Sequence, residues 1–395
     1  MTGVSRDDES PAAELLDLGV VGEPTSAADE SSSRPGMSRR GLLLTGGVLG
    51  AGGLAVALAP RSSSPPPSAD KAPPPSPAST SRAQPVMLTR PLPGTRPGGE
   101  LCALGTDLLL RIHPATGLVV RSPAPRVGDG QVSLVPLRRG VLLRRVGPGP
   151  GYLVPDGGRT VVLSPELAGD GPVLPGPDQD HVWTVRQQRG GAEMALVDVG
   201  TRRTRVVVPV PQFSTTGPMT DGAGGLLFEG VGGLYRVSPT GKLRISNAIM
   251  LAVGSGTLLT LERSPRGRWQ TVLRPRDGNG RVVPVPIGPQ LPHGVLSPDA
   301  DTVALFVVPE PTGPMHTQHI GLALVGLRSG DLRAVDVDLT GVAGDGSLAW
   351  SPDGRWLFCV DTTTRLAAVE VSSGAISLLD PSLPPVSQLA IRIGS

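Results

Sequence analysis

From residue 100 onward, apolar and polar residues alternate in short runs, and each run stops at a turn that usually carries glycine. The stretch LAWSPDGRWLFCVD (348–361) is the clearest instance: alternation, a four-residue turn, alternation again. A period of two marks a half-buried strand. In the turn, Pro presets φ, Asp bonds its own backbone and Gly accepts positive φ without a steric cost. Related strand–turn–strand units occupy 100–121, 141–163, 181–208, 226–245, 258–283, 303–337 and 356–379. Seven units in about 295 residues gives roughly 42 residues each, the size of one four-stranded blade of a β-propeller. HPATG, VSPTG, RDGNG, LRSG and VSSG fall between third and fourth strands, whereas SPDA (297–300) and SPDG (351–354) fall between first and second. The first unit has only three strands, starting at LCAL (101–104), and VSQLAIRI (386–393) is left over at the end. An open ring would expose strand edges, so the last strand is expected to become the innermost strand of the first unit. The predicted fold is all-β: a seven-bladed β-propeller over residues 100–395, closed by the C-terminal strand.

Before residue 100 the alternation disappears, and three zones replace it. Residues 1–37 are polar, with eight acids against Arg6 and Arg34, and are expected to be a disordered acidic tail. Within it PAAELLDLGVV (11–21) could form a short helix with an apolar face. Residues 38–60 hold Arg39 and Arg40 followed by the uncharged run 41–59, about the length that crosses a bilayer. Residues 61–99 are rich in Pro and Ser and read as an extended linker, spanning on the order of 100 Å at ~3.1 Å per residue.

Composition sharpens this picture. Gly (54) and Pro (44) far outnumber Phe (4) and Tyr (2), which favours many turns over long helices. A net charge of +2 and 3% aromatic residues supply no footprint for nucleic acid. Two cysteines cannot build a disulfide framework or a zinc site.

Two blade resemblances follow from these residues. LAWSPDGRWLFCVD resembles a blade of the TolB-like or WD-repeat type, and GTDLLLRIHPATGLVVR (105–121) resembles a quinoprotein-type blade. They imply a propeller and little about chemistry, because propellers host many functions. Ser38-Arg39-Arg40-Gly41-Leu42-Leu43 resembles the twin-arginine export signal, without the lysine that often follows. Ala57-Leu58-Ala59 suits a signal peptidase but Pro60 opposes cleavage, leaving an anchored and a secreted form as alternatives. Arginines on the amino side favour a cytoplasmic N-terminus.

Candidate chemistry is sparse. Gly50-Ala51-Gly52-Gly53-Leu54-Ala55 matches the dinucleotide fingerprint formally, but no strand, helix and downstream acid surround it. His316 and His319 could ligate a metal on a helix, yet Pro311, Gly313 and Pro314 disfavour one, and a solvated loop is expected. Gly254-Ser255-Gly256 lacks the spacing of a nucleophile elbow. Asp299 and Asp301 are too few for a calcium loop. Arg138, Arg139, Arg144 and Arg145 form a basic cluster in sequence, either a polyanion contact or a solvated hairpin. Cys102 and Cys359 would occupy second strands of the neighbouring first and seventh units. A disulfide across the seam is one expectation, and two buried thiols the other, because facing sheets stand about 10 Å apart and bridged Cα atoms lie within about 7 Å.

The function expected from the sequence is that of a monomeric, extracytoplasmic scaffold, tethered through 41–59 if uncleaved. It would bind a protein or envelope-polymer ligand, with no cofactor called for. The alternative is an envelope hydrolase or lyase with its site in the central funnel.

Overall fold

The computed structural model describes residues 84–88, 91–92, 99–127, 131–147, 149–163, 167, 171–213, 217–276, 278–286, 293–307, 320–339 and 346–393. The acidic tail, the Arg39–Arg40 segment and the His316–His319 pair lie outside them. Among the described residues there are strands and turns but no α-helix, so none long and apolar enough to cross a membrane.

The strands form seven antiparallel meanders, called the first to seventh units in chain order. Their innermost strands are Val386–Ile393 for the first unit, then Val132–Leu137, Val173–Pro175, Met219–Thr220, Ile249–Gly254, Gly294–Leu296 and Leu348–Trp350. The first unit thus takes its inner strand from the far end of the chain. Val386–Ile393 runs antiparallel to Gly99–Gly105, with Cys102 opposite Ala390 and Glu100 opposite Arg392. The fifth and sixth units are joined by parallel pairing of their inner strands, Ala252 with Gly294 and Val253 with Val295.

Because strand side chains alternate, each sheet has two apolar faces, and each buries them against both neighbours. The core is accordingly divided into seven layers rather than gathered into one. Leu142 and Leu167 of the second unit meet Val182 and Val197 of the third. Trp183 and Met194 of the third meet Phe228 of the fourth. Leu227 and Leu234 of the fourth meet Met250 and Leu258 of the fifth. Leu259 shares a buried cluster with Val303, Phe306 with Leu357, Phe358 with Leu101, and Leu109 with Val141. Each fully buried Leu, Val or Phe contributes about 1.5–3 kcal/mol.

The two turns that were most legible in sequence adopt one hydrogen-bonding scheme. Ser351 Oγ donates to Asp353 Oδ1 at 2.6 Å and accepts from Trp356 N at 2.9 Å. Ser297 Oγ does the same with Asp299 Oδ1 at 2.5 Å and Thr302 N at 3.0 Å. Gly354 and Ala300 take positive φ at the same place in each. These turns join first to second strands and lie at one end of the sheets, where they touch turns of neighbouring units. Gly224 shows how tightly: a Cβ there would stand 2.2 Å from Pro177 Cα in the third unit, and its φ is +87°.

The stretch 61–99, expected as linker, contains a strand. Gln84–Met87 pairs antiparallel with Leu118–Arg121 as a fifth, outermost strand of the first unit. Leu88 and Leu92 are buried in the layer between the first and seventh units. Proline tolerates an outer edge, where its missing N–H is not needed by a further strand, so Pro85 does not forbid the pairing.

The pairing of the last strand is fastened by charge as well as by backbone bonds. Arg392 donates from Nε to Glu100 Oε2 at 2.6 Å and from Nη1 to Asp156 Oδ2 at 2.8 Å and Leu137 O at 3.2 Å. Arg111 reaches the same Asp156 at 2.5 Å. One cluster therefore ties the C-terminal strand to the first and second units. Replacing Arg392 by Met leaves Glu100 with a buried charge and is expected to destabilise the fold by ~3–5 kcal/mol, nearer the lower figure because Asp156 is 38% exposed. Urea unfolding of the variant against the parent measures this, and a loss under ~1 kcal/mol would reduce the cluster to a surface-type pair.

Candidate functional site: the inner strands and the two ends

Each unit contributes one innermost strand, and the residue types there decide what those strands can offer. Half-buried positions on them are mostly apolar, among them Leu174, Met219, Ile249, Val295, Leu348 and Trp350, which also pack against the clusters between sheets; Ser133, Thr220 and Gln388 are the polar ones. Ser133 Oγ accepts Val173 N at 3.0 Å and Thr220 Oγ1 accepts Gly222 N at 3.2 Å, so both hydroxyls serve the fold. Trp350 Nε1 donates to Val295 O at 3.3 Å, linking the seventh unit to the sixth. Among the described inner-strand residues the one ionisable side chain is Arg392, and it belongs to the closing cluster. Burial works against the Arg392 charge, but Asp156 and Glu100 outweigh it and hold the guanidinium protonated above its ordinary value.

The end where the C-terminal strand finishes is polar. His113 Nε2 lies 3.3 Å from Glu100 Oε1, and Arg138 pairs with Asp180 at 3.1 Å. His181 Nδ1 meets Asp178 at 2.7 Å, and Gln179 donates its side-chain amide to Ile393 O. Arg138–Asp180 and Gln179–Ile393 join different units, whereas His113–Glu100 lies within the first unit and His181–Asp178 within the third. No group of three or more His, Cys, Asp or Glu stands together as a metal-binding set among the described residues.

The opposite end carries the turns between second and third strands. There Glu262 accepts a bidentate pair of bonds from Arg274, at 2.6 and 2.7 Å, which holds its carboxyl below the usual range despite partial burial. Beyond it the hairpin tip 263–269 is exposed but for its half-buried Ser264, and Arg263 lies over the Trp269 ring at 5.1 Å.

Several residues that stand close in sequence are set apart by the fold. The four arginines of the second unit are not one cluster, because Gly140–Arg145 is an extended strand at about 3.3 Å per residue. Arg138 and Arg139 sit at one end of it and Arg145 at the other, while Arg144 is only 1% exposed. Ser255 lies in a first-to-second-strand turn at φ +48°, packed by backbone against Gly222. Asp299 is occupied inside its own turn.

Cys102 and Cys359 are both free and buried, and they face away from each other. Leu101 and Ala103 point at the seventh unit, so alternation sends Cys102 to the second. Phe358 and Val360 point at the first unit, which sends Cys359 to the sixth. Of the two expectations, these positions match two separate core thiols and not a seam disulfide.

The Arg392 cluster was not anticipated. Its signal was present as charges inside otherwise apolar strands, Arg111 in LLLRIH and Arg392 in LAIRI, which need a buried partner. Identifying Glu100 and Asp156 as those partners required the register.

No family model and no curated protein matches the chain. Solved structures similar to it include a functionally unknown protein from Desulfotomaculum acetoxidans, at 11% identity and TM-score 0.49, covering 75% of this chain and 99% of that one. TolB from Acinetobacter baumannii aligns at 16% identity and TM-score 0.41, covering 74% and 81%. Hydrazine synthase from Kuenenia stuttgartiensis aligns at 13% identity and TM-score 0.43, covering 62% and 77%. Likenesses at this level identify neither a ligand nor an activity.

Burial pushes both thiols up to about 12, with Glu100 adding to the effect at Cys102 and Asp361 at Cys359. Neither is expected to react with a maleimide reagent at neutral pH in the folded protein, and both are expected to react in denaturant without prior reduction. Thiol counting under the two conditions tests this; fewer than two free thiols in denaturant would restore the disulfide.

Proposed function

We propose that the chain is an exported, membrane-tethered, seven-bladed β-propeller closed by its C-terminal strand, and that it acts as a binding scaffold at the cell envelope. The seven apolar layers and the pairing of Val386–Ile393 with Gly99–Gly105 support the blade count and the closure. Residues 41–59 would hold the chain in the membrane and residues 61–83 would space the propeller from it. The acidic tail would then remain cytoplasmic, available to partners there.

The observation that supports the binding role is the largely apolar character of the half-buried inner-strand side chains, Met219, Leu348 and Trp350 among them, with Ser133, Thr220 and Gln388 as uncharged polar exceptions. Such a wall offers contact area without charges to desolvate. Held by seven packed layers it is preorganised, so a ligand meets little ordering cost. The ligand class that fits is a peptide, a protein segment or an envelope polymer with an apolar face.

Two measurements test the proposal. Photo-cross-linking residues placed at Met219 and at Leu348 should yield the same adduct in intact cells, whereas one at Val282 on an outer edge should not. Adducts confined to Val282 would relocate the binding surface. Export is tested by changing Arg39 and Arg40 together to Lys, which is expected to leave the chain inaccessible to protease added to intact cells. Unchanged accessibility would exclude the twin-arginine route.

A further inference from the structure

We infer that the end of the fold carrying the second-to-third-strand turns docks on an anionic lipid bilayer through the hairpin tip 263–269 of the fifth unit. The tip reads RSPRGRW and contains three arginines and no acid. Glu262, next in sequence, is consumed by Arg274. Trp269 is 48% exposed, whereas Trp183 and Trp356 are buried and Trp350 has its N–H bonded to Val295. Arg263 stacks over the Trp269 ring from the partner strand, so the ring is displayed rather than folded back onto the sheet.

The backbone of the tip is already satisfied. Ser264 N donates to Arg268 O at 2.8 Å, Gly267 N to Ser264 O at 2.9 Å, and Arg268 N to Ser264 Oγ at 3.1 Å. A prebuilt turn presents its side chains without a further ordering cost. The fourth unit adds Val231, 72% exposed on the corresponding turn. Both turns lie at the same end, because the opposite turns of these units pack Gly222 against Ser255 and the strands between are antiparallel.

An indole beside guanidinium groups matches the boundary between headgroups and acyl chains. The ring takes the interface, and each arginine near an anionic surface contributes about 1 kcal/mol. An acidic protein would satisfy the arginines equally; the bilayer is the occupant that sets the exposed indole and Val231, on separate turns at one end, at a common apolar boundary. The inference does not depend on the inner wall being a binding site, which is probed at other residues.

The test uses the full-length chain with vesicles of phosphatidylglycerol and phosphatidylcholine in equal parts, and with phosphatidylcholine alone. Residues 41–59 contain no Trp, so tryptophan emission is silent to that segment. Emission should shift to the blue and be quenched by brominated acyl chains in the anionic vesicles only. W269F should abolish the quenching, and R266A/R268A should raise the lipid needed on the order of 30-fold. Equal quenching in both vesicle types, or quenching that survives W269F, would overturn the inference. So would a shift with polyglutamate but none with vesicles, which would make the tip an acidic-protein contact.

Discussion

The rest of the structure depends on the pairing of the last strand with Gly99–Gly105. Without it the first unit would present the bare edge of Gly99–Gly105, and the layer between the first and seventh units would lose Val386 and Leu389. The contact is maximally non-local, so its loop-closure cost falls late in folding and is set against backbone bonds, apolar burial and the Arg392 cluster together. The cluster adds selectivity. A slip of one residue would turn Arg392 away from Glu100 and Asp156 and strand three charges in poor surroundings.

Sheets stacked face to face explain the composition. Each sheet is covered on both faces, so Leu, Val and Ala suffice for thin layers and large aromatics are needed at few places. Phe228 is one, stacked on Tyr235 with centroids 5.3 Å apart and edge-on to Phe213 at 5.2 Å. Glycine serves the close approach of turns between units, as at Gly224. The chemistry-bearing side chains are consequently pushed to the two ends. One end is internally paired, and the other displays the arginine-rich tip.

Much of the architecture was legible because turn chemistry is local. SPDA and SPDG encode a serine–aspartate scheme that needs no distant partner, and the structure reproduces it twice. The outer strand Gln84–Met87 was not legible, since an edge strand needs only backbone pairing and its proline-rich surroundings read as spacer. The cysteines were placed on the right strands, and of the two expectations for them the reading as two buried thiols matches their positions. Sheet adjacency does not imply facing side chains when alternation sends each to the outer side.

By itself the sequence determined the alternation, the turn types, the number of strand–turn–strand units and the surplus of one strand at the end. Those follow from residues a few positions apart, through steric limits on φ and the two-residue period of a strand. Tertiary structure alone decided which face each side chain meets. It sent Cys102 and Cys359 into separate layers and Arg144 into the interior, and it gathered Glu100, Arg111, Asp156 and Arg392 from across the chain. Partners of that kind are fixed by register and packing between sheets, and no local stretch contains both halves of the contact.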